Sequence, residues 1–151
     1  MPRLLIVYHT QSGNTGRLAE AVRCGAQAET GVETIMKRAF DTTLDDLLEC
    51  NGLLLGTPEN FGFMSGALKD FFDRTYYPAE GKTLALPYAV FISAGNDGSG
   101  AVRQIERIAT GYGWKRVAEP LIVRKEITEE NLTHAEELGA ALAGGLALGI
   151  Y

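Results

Sequence analysis

The sequence has few of the residues that build disulfide frameworks and metal sites. Among its 151 residues are two cysteines, Cys24 and Cys50, which are far apart and form no C-x-x-C pair, and two histidines, His9 and His134. Without a Cys/His cluster the sequence supports no structural zinc site, and we expect no metal. We expect both cysteines to be reduced, buried thiols, as in cytoplasmic proteins.

Long apolar runs and an excess of positive charge are also missing. No apolar stretch approaches the ~20 residues of a membrane helix, and the first residues do not resemble a signal peptide. We therefore expect a cytoplasmic protein without membrane insertion. A net charge of −5 argues against nucleic acid as the main partner, because binding to a phosphate backbone needs a basic face.

Two common phosphate signatures are absent as well. Neither G-x-x-x-x-G-K-[ST] nor G-x-G-x-x-G occurs, which disfavours a nucleotide triphosphatase and a dinucleotide site. A hydrophobic content of 46% and a charged content of 22% are ordinary for a globular protein. The length suits one domain with a substantial core, so we expect residues 1–151 to form a single domain.

Apolar runs alternate with helical patterns five times, which predicts an α/β protein with a doubly wound parallel sheet covered by helices on both faces. In such a sheet, ligands bind beyond the carboxyl ends of the strands, so the loops after strands 1, 3 and 4 should converge. The predicted strands are Arg3–Tyr8, Glu33–Lys37, Gly52–Gly56, Tyr88–Ser93 and Leu121–Val123. The predicted helices are Thr15–Ala28, a short one within Asp41–Leu48, Ser65–Thr75, Ser99–Tyr112 and Glu129–Leu148.

The loop after the first strand, residues 8–16, is rich in hydroxyls and glycine. The first N–H groups of a helix have no acceptor within it and lie at the positive end of its dipole. Thr10, Ser12 and Thr15 add hydroxyl donors, and Gly13 lets the backbone come close to a ligand. This pattern predicts a phosphate monoester held by neutral dipoles. It also suits an ordinary helix cap and turn.

The loop after the third strand, residues 56–66, is unusually apolar. Phe61 and Phe63 either cover the core or form a platform against a flat ring. In the second case the backbone groups of Glu59 and Asn60 would meet the polar edge of that ring.

The loop after the fourth strand, residues 93–100, is small and flexible. It suits either a close approach to a ligand or a plain connection with Asp97 or Ser99 near the N-cap of the next helix. Beyond the fifth strand, Arg124 and Lys125 either meet an anionic ligand, such as an acceptor or a nicotinamide-cofactor phosphate, or are simply solvated.

Two of these loops resemble those of flavodoxin-like flavoproteins. Residues 10–15, TQSGNT, match the phosphate-loop pattern T/S-x-T/S-G-x-T. Residues 56–75, beginning GTPENFG, resemble the second flavin loop and helix of the NAD(P)H:quinone reductase branch, once described as Trp-repressor-binding proteins. The chain is shorter than the usual members of that branch and lacks their long insertions. The resemblance implies a five-stranded sheet of order 2-1-3-4-5.

The resemblance also implies that three loops bind FMN. Its phosphate would be held by Thr10, Ser12, Gly13, Asn14 and Thr15, with Gln11 in the same loop. Its isoalloxazine would be met by Thr57, Pro58, Glu59, Asn60, Phe61 and Gly62, whose backbone N–H groups would tune N5 and O4. Its pyrimidine side would be covered by Ser93, Ala94, Gly95, Asn96, Asp97 and Gly98.

The implied activity is NAD(P)H-dependent reduction of quinones or similar small acceptors, by hydride transfer through flavin N5. The alternative is a flavodoxin-type electron carrier between protein partners. Flavodoxins usually place an aromatic and several acids in the third loop, whereas this loop has one acid, Asp97, and no aromatic. No catalytic residue is needed beyond the flavin. His9 is either a proton donor near the site or a strand-end residue with local hydrogen bonds, and a homo-oligomer is left open.

Overall fold

Six strands form one parallel sheet in the computed structural model, which describes all 151 residues. The strands are β1 (Arg3–Tyr8), β2 (Glu33–Arg38), β3 (Gly52–Pro58), β4 (Pro87–Ala94), β5 (Lys115–Arg116) and β6 (Leu121–Arg124). The helices are α1 (Asn14–Gln27), α2 (Leu44–Glu49), α3 (Gly66–Ala79), α4 (Ser99–Tyr112) and α5 (Glu129–Leu148), with a 3₁₀ turn at Ala39–Asp41.

The predicted strand order 2-1-3-4-5 is confirmed, and every strand pair is parallel. The fifth position is divided between two strands: β5 pairs with Pro87 and Tyr88, and β6 pairs with the later part of β4. Pro120 precedes β6, and a proline has no N–H to donate to a ladder. The interruption therefore has a local cause, and β6 still carries its following loop to the carboxyl edge.

Helices cover both faces of the sheet. On one face α1 and α5 pack over Leu4, Ile6 and Leu54, and on the other α2, α3 and α4 pack over residues such as Leu53 and Leu55. The interior strand β4 is buried along its whole length, in keeping with its apolar run. No helix is both long and apolar enough to cross a membrane.

Close contact between α1 and α5 depends on two glycines. A Cβ at Gly139 would lie 2.0 Å from the carbonyl oxygen of Val22, and one at Gly25 would lie 1.9 Å from that of Glu136. Both distances are far below van der Waals contact, so the glycines set how closely the helices approach. Gly139 and Gly25 therefore allow the close packing of α5 against α1.

The prediction for the cysteines is wrong for one of them. Cys50 is buried, and that burial raises the pKa of its thiol to about 12. Cys24 is exposed, because it lies on the face of α1 opposite the buried Leu18 and Val22.

Candidate functional site

Four loops at the carboxyl edge of the sheet enclose a cleft of about 630 Å³. The loops after β1, β3 and β4 converge there, and the loop after β6 joins them. The lining consists of Ser12, Asn14, Arg17, Pro58, Glu59, Ser93, Ala94, Gly95, Lys125, Glu126 and Ile127. The cleft therefore combines members of all three predicted loops with a fourth segment.

The first loop presents unpaired backbone donors at the start of α1. Gly13 is the N-cap residue with a left-handed φ of 100°, and no side chain caps the helix. The N–H of Gly13 donates to the Thr10 hydroxyl at 3.2 Å, and the N–H of Arg17 donates to the Gly13 carbonyl at 3.0 Å. The N–H groups of residues 14–16 have no acceptor in the protein. Three free donors at the positive end of a helix dipole are the arrangement that favours binding of an anion.

The three hydroxyls of this loop differ in their hydrogen-bond partners. Thr15 is buried, and its hydroxyl lies 2.7 Å from the hydroxyl of Ser93, so it ties the first loop to the third. The Thr10 hydroxyl already accepts from Gly13. Ser12 is exposed, lines the cleft and has no hydrogen bond within the protein. Of the three predicted hydroxyl donors, Ser12 is the one that lines the cleft and makes no hydrogen bond within the protein, while Thr10 keeps its own O–H to donate.

The second loop begins where β3 extends two residues beyond its predicted end. Pro58 pairs with Ser93 of β4, which places the second loop beside the third. Thr57 is fully buried, and its hydroxyl accepts from the N–H of Ser65 at 2.9 Å and donates to the Pro58 carbonyl at 2.8 Å. The side chain of Thr57 thus shapes the loop from beneath and does not reach the cleft.

The tip of this loop is a strained two-residue turn. Asn60 and Phe63 exchange backbone hydrogen bonds of 2.9 Å in both directions, and they enclose Phe61 at a φ of 54° and Gly62 at 73°. Two successive positive φ values define a type I′ turn. Phe61 is fully exposed, whereas Phe63 is half-buried against the core. Phe63 therefore covers the core, whereas Phe61 lies in solvent and its role as a platform stays a prediction.

Only some of the backbone N–H groups that we expected to contact the ring are free of hydrogen bonds within the protein. The Glu59 N–H donates to the Ser93 carbonyl at 2.9 Å, and the Asn60 N–H is held within the turn. The N–H groups of Phe61 and Gly62 have no acceptor in the protein. The side-chain amide of Asn60 donates to Gln11 at 2.6 Å, which joins the second loop to the first.

Glu59 fastens the second loop to the start of α4. One oxygen of its carboxylate accepts from the N–H of Gly98 at 2.9 Å, and the other accepts from the N–H of Ala101 at 3.1 Å. A carboxylate is favourable there because it meets the positive end of the helix dipole and satisfies donors that the helix leaves unpaired. The N-cap residue is Gly98, so neither Asp97 nor Ser99 caps α4. Glu59 is thus the side-chain acceptor for this helix start.

The glycines around the third loop differ in function. Gly98 has a φ of 83°, and a Cβ there would lie 2.5 Å from Ile122. A Cβ at Gly100 would lie 2.3 Å from the carbonyl oxygen of Gly62. Gly95 is exposed, lines the cleft and has nothing within 4 Å of its Cβ position. Packing requires the first two glycines, and Gly95 is the one at which the loop is open to a ligand.

Asp97 is occupied at the outer rim of the third loop. Its carboxylate accepts from the Ser99 hydroxyl, and Arg124 donates from Nε to the Asp97 carbonyl at 2.8 Å. The Ser99 hydrogen bond and the Arg124 charge hold the pKa of Asp97 below its ordinary value. Asn96 is exposed beside it and makes no side-chain hydrogen bond. Neither Asn96 nor Asp97 lines the cleft.

The structure does not bring His9 into the cleft. Its N–H donates to the Gly56 carbonyl at 3.1 Å, and its ring lies edge-on to Phe40 at 6.3 Å. Burial, with a contribution from the Arg38 charge, lowers the pKa of His9 below 6.5. His9 therefore lies just beyond the end of β1 and outside the cleft, with its backbone N–H bonded locally and no side-chain hydrogen bond.

The model of the NADPH-dependent FMN reductase family matches residues 24–123. A flavodoxin of Aquifex aeolicus is 35% identical over 100 residues, which are 66% of this chain and 54% of that protein. An NAD(P)H dehydrogenase (quinone) of Acidithiobacillus ferrooxidans is 31% identical over 121 residues, covering 66% of this chain and 60% of that protein. Both alignments span less than two thirds of the relative.

Similarity of fold extends further than similarity of sequence. The crystal structure of a flavodoxin, WrbA-like protein from Agrobacterium tumefaciens superimposes with a TM-score of 0.80 and covers 99% of both chains, at 22% identity. At that identity the match establishes the fold alone.

Proposed function

The chain belongs to the family of NADPH-dependent FMN reductases, and from this premise we propose that it binds FMN in the carboxyl-edge cleft and carries hydride from NAD(P)H to a small acceptor such as a quinone. We take residues 1–151 as one FMN-binding domain, because all six strands belong to one sheet. FMN, when bound, supplies the two-electron chemistry, and the chain binds and orients it.

The observation that carries the proposal is the set of free donors at the start of α1. The N–H groups of residues 14–16 and the hydroxyl of Ser12 are unpaired, and Ser12 and Asn14 line the same cleft as the second and third loops. Such a donor set fits the phosphate of FMN, because each phosphate oxygen accepts hydrogen bonds and its charge is favoured at a helix N-terminus.

The walls of the cleft fit the remainder of the cofactor. Pro58 and Glu59 on one side, and the residues from Ser93 to Gly95 on the other, are held together by the β3–β4 pairing and by the Glu59 carboxylate. The N–H groups of Phe61 and Gly62, in the turn that follows Glu59, are free to donate to a flat heterocycle with acceptors at its edge. We propose that they contact the flavin ring and favour negative charge on it.

The absence of aromatic side chains from the lining favours a reductase. No phenylalanine, tyrosine or tryptophan lines the cleft, so a bound flavin would keep one face open to a nicotinamide and then to an acceptor. The relative from Acidithiobacillus ferrooxidans is named for that reaction. The 35% identity to a flavodoxin favours the second candidate, an electron carrier between proteins.

Steady-state turnover tests the proposal. The FMN-loaded protein is mixed with NADPH or NADH under argon, with and without a soluble benzoquinone, and consumption of both substrates is recorded. A reductase consumes one quinone for each reduced nicotinamide. If no quinone accelerates nicotinamide oxidation, while the chemically reduced protein passes electrons to a heme protein, the carrier replaces the reductase.

A further inference from the structure

The cleft contains two positive charges outside the phosphate loop itself. Arg17, in the first turn of α1, and Lys125, after β6, both line it beside Ser12 and Asn14. Resting on the proposed function, we propose that Lys125, with Arg17, forms a cationic half of the phosphate site. The phosphate of FMN is then held between the start of α1 and the loop after β6. The phosphate-loop pattern alone predicts only neutral donors.

The backbone of Lys125 is fixed in an unusual conformation. Its φ of 64° lies in the left-handed region, which is costly for a residue with a Cβ. Its N–H donates to the carbonyl of Ala94 at 2.7 Å, so the loop after β6 is fastened to the third loop at this residue. This hydrogen bond and the left-handed backbone fix the position of the Lys125 Cα at the rim of the cleft.

Neither residue forms an ion pair, although the carboxylates of Glu59 and Glu126 line the same cleft. Neither Arg17 nor Lys125 has a carboxylate within 4.0 Å, whereas the adjacent Arg124 lies 3.7 Å from the Asp97 carboxylate and donates to the Asp97 backbone. Two free cations in one cleft are notable in a chain with a net charge of −5. A dianionic phosphate provides the missing counter-charge, and Glu126 in the same lining opposes it.

FMN and the nicotinamide donor both carry phosphate, so either could bind the two cations. The position of the cations in the cleft decides between the two ligands. The two cations share their cleft with Ser12 and Asn14, where α1 offers its free N–H groups. A phosphate bound there satisfies backbone donors and both cations at once. We therefore assign the cations to the FMN phosphate.

Comparison of FMN with riboflavin tests this assignment, because the two ligands differ only in the phosphate. Apoprotein is titrated with each flavin by fluorescence quenching, without nicotinamide, at low and at high salt. We expect Lys125→Met to weaken FMN binding about fivefold to tenfold and to change riboflavin binding less than about twofold. Raising the salt should weaken FMN binding more in the wild type than in this variant.

Three further variants sharpen the comparison. Lys115→Met, at the opposite end of the sheet, should leave both affinities unchanged, because Lys115 pairs with Pro87 at the start of β4. Glu126→Gln should tighten FMN binding alone. Lys125→Gly suits the left-handed backbone and still removes the charge, so it should lose FMN affinity without losing thermal stability.

The outcomes separate this inference from the function on which it rests. If the wild type binds FMN, and Lys125→Met leaves the FMN-to-riboflavin ratio of affinities unchanged, the assignment is overturned and the proposed function stands. If that variant raises only the KM for NADPH, the cation belongs to the donor's phosphate and the assignment is again overturned. If the wild type binds neither flavin, the proposed function itself fails.

Discussion

Glu59 offers a quantitative test of how the site is held together. Glu59→Ala removes both acceptors from the N–H groups of Gly98 and Ala101, and Gly98 provides no side-chain cap of its own. Hydrogen bonds to charged groups contribute roughly 1.5–3 kcal/mol each, and loss of a helix cap typically costs about 1 kcal/mol. Because Glu59 is only half-buried and water can replace it, we expect a loss of about 2 kcal/mol, which is less than the sum for two such bonds.

Thermal unfolding measures this loss. At this chain length 1 kcal/mol corresponds to about 2–4 °C, so Glu59→Ala should lower the Tm by about 4–8 °C. Glu137→Ala is the matched control, because Glu137 is exposed on α5 and makes no side-chain hydrogen bond or ion pair. A Tm no lower than that of the control would show that the Glu59 carboxylate does not stabilise the helix start.

Ligand binding adds a second readout for Glu59. The carboxylate holds the second loop against α4, so its loss should loosen the walls around the flavin ring and not the phosphate site. We therefore expect FMN and riboflavin affinities to fall by a similar factor, in contrast to Lys125→Met. A loss confined to FMN would refute the reasoning, because it would place Glu59 at the phosphate.

Three further substitutions or modifications test the packing. Gly139→Ala should destabilise the protein by more than about 1 kcal/mol, because the new Cβ meets a carbonyl of α1. Gly144→Ala on the same helix has open space around its Cβ and should be neutral or stabilising. Equal Tm values for the two variants would contradict the close approach of α1 and α5. Phe61→Gly should raise the free energy of unfolding by up to about 1 kcal/mol by relieving the positive φ, and a lower Tm would mean that Phe61 makes contacts that outweigh the strain. A thiol reagent at pH 8 should label Cys24 and spare Cys50, whose pKa is raised to about 12 by burial, as peptide mapping of the native protein would show.

The fold was predictable because its signals are local. β1, α4 and α5 have the predicted bounds, since apolar runs, helical periodicity and a capping threonine at Thr128 act within a few residues of each other. The divided fifth position has a local signal in Pro120, but the pairing of its two parts with different ends of β4 is not specified by the local pattern. The exposure of Cys24 was not predictable either, because a small apolar residue on an amphipathic helix can lie on either face.

The site was predictable as a meeting of loops but not in its hydrogen bonds. Glu59 binds residues 39 and 42 positions away, and no spacing rule in the sequence connects them. Thr57 reads as a ligand residue from its place in a motif, yet its burial depends on how the loop folds back onto Ser65. Lys125 was placed beyond the fifth strand by the sequence, but the hydrogen bond from its N–H to the Ala94 carbonyl follows from no local pattern.

Anaerobic reduction by nicotinamide tests the central claim most directly. FMN-loaded protein is titrated with NADPH and then NADH, and the visible spectrum of the flavin is recorded after each addition. The proposed reductase predicts prompt bleaching of the oxidised flavin, complete near one equivalent of the preferred nicotinamide. A flavin that stays oxidised with both nicotinamides, and is bleached only by a chemical reductant, would contradict it.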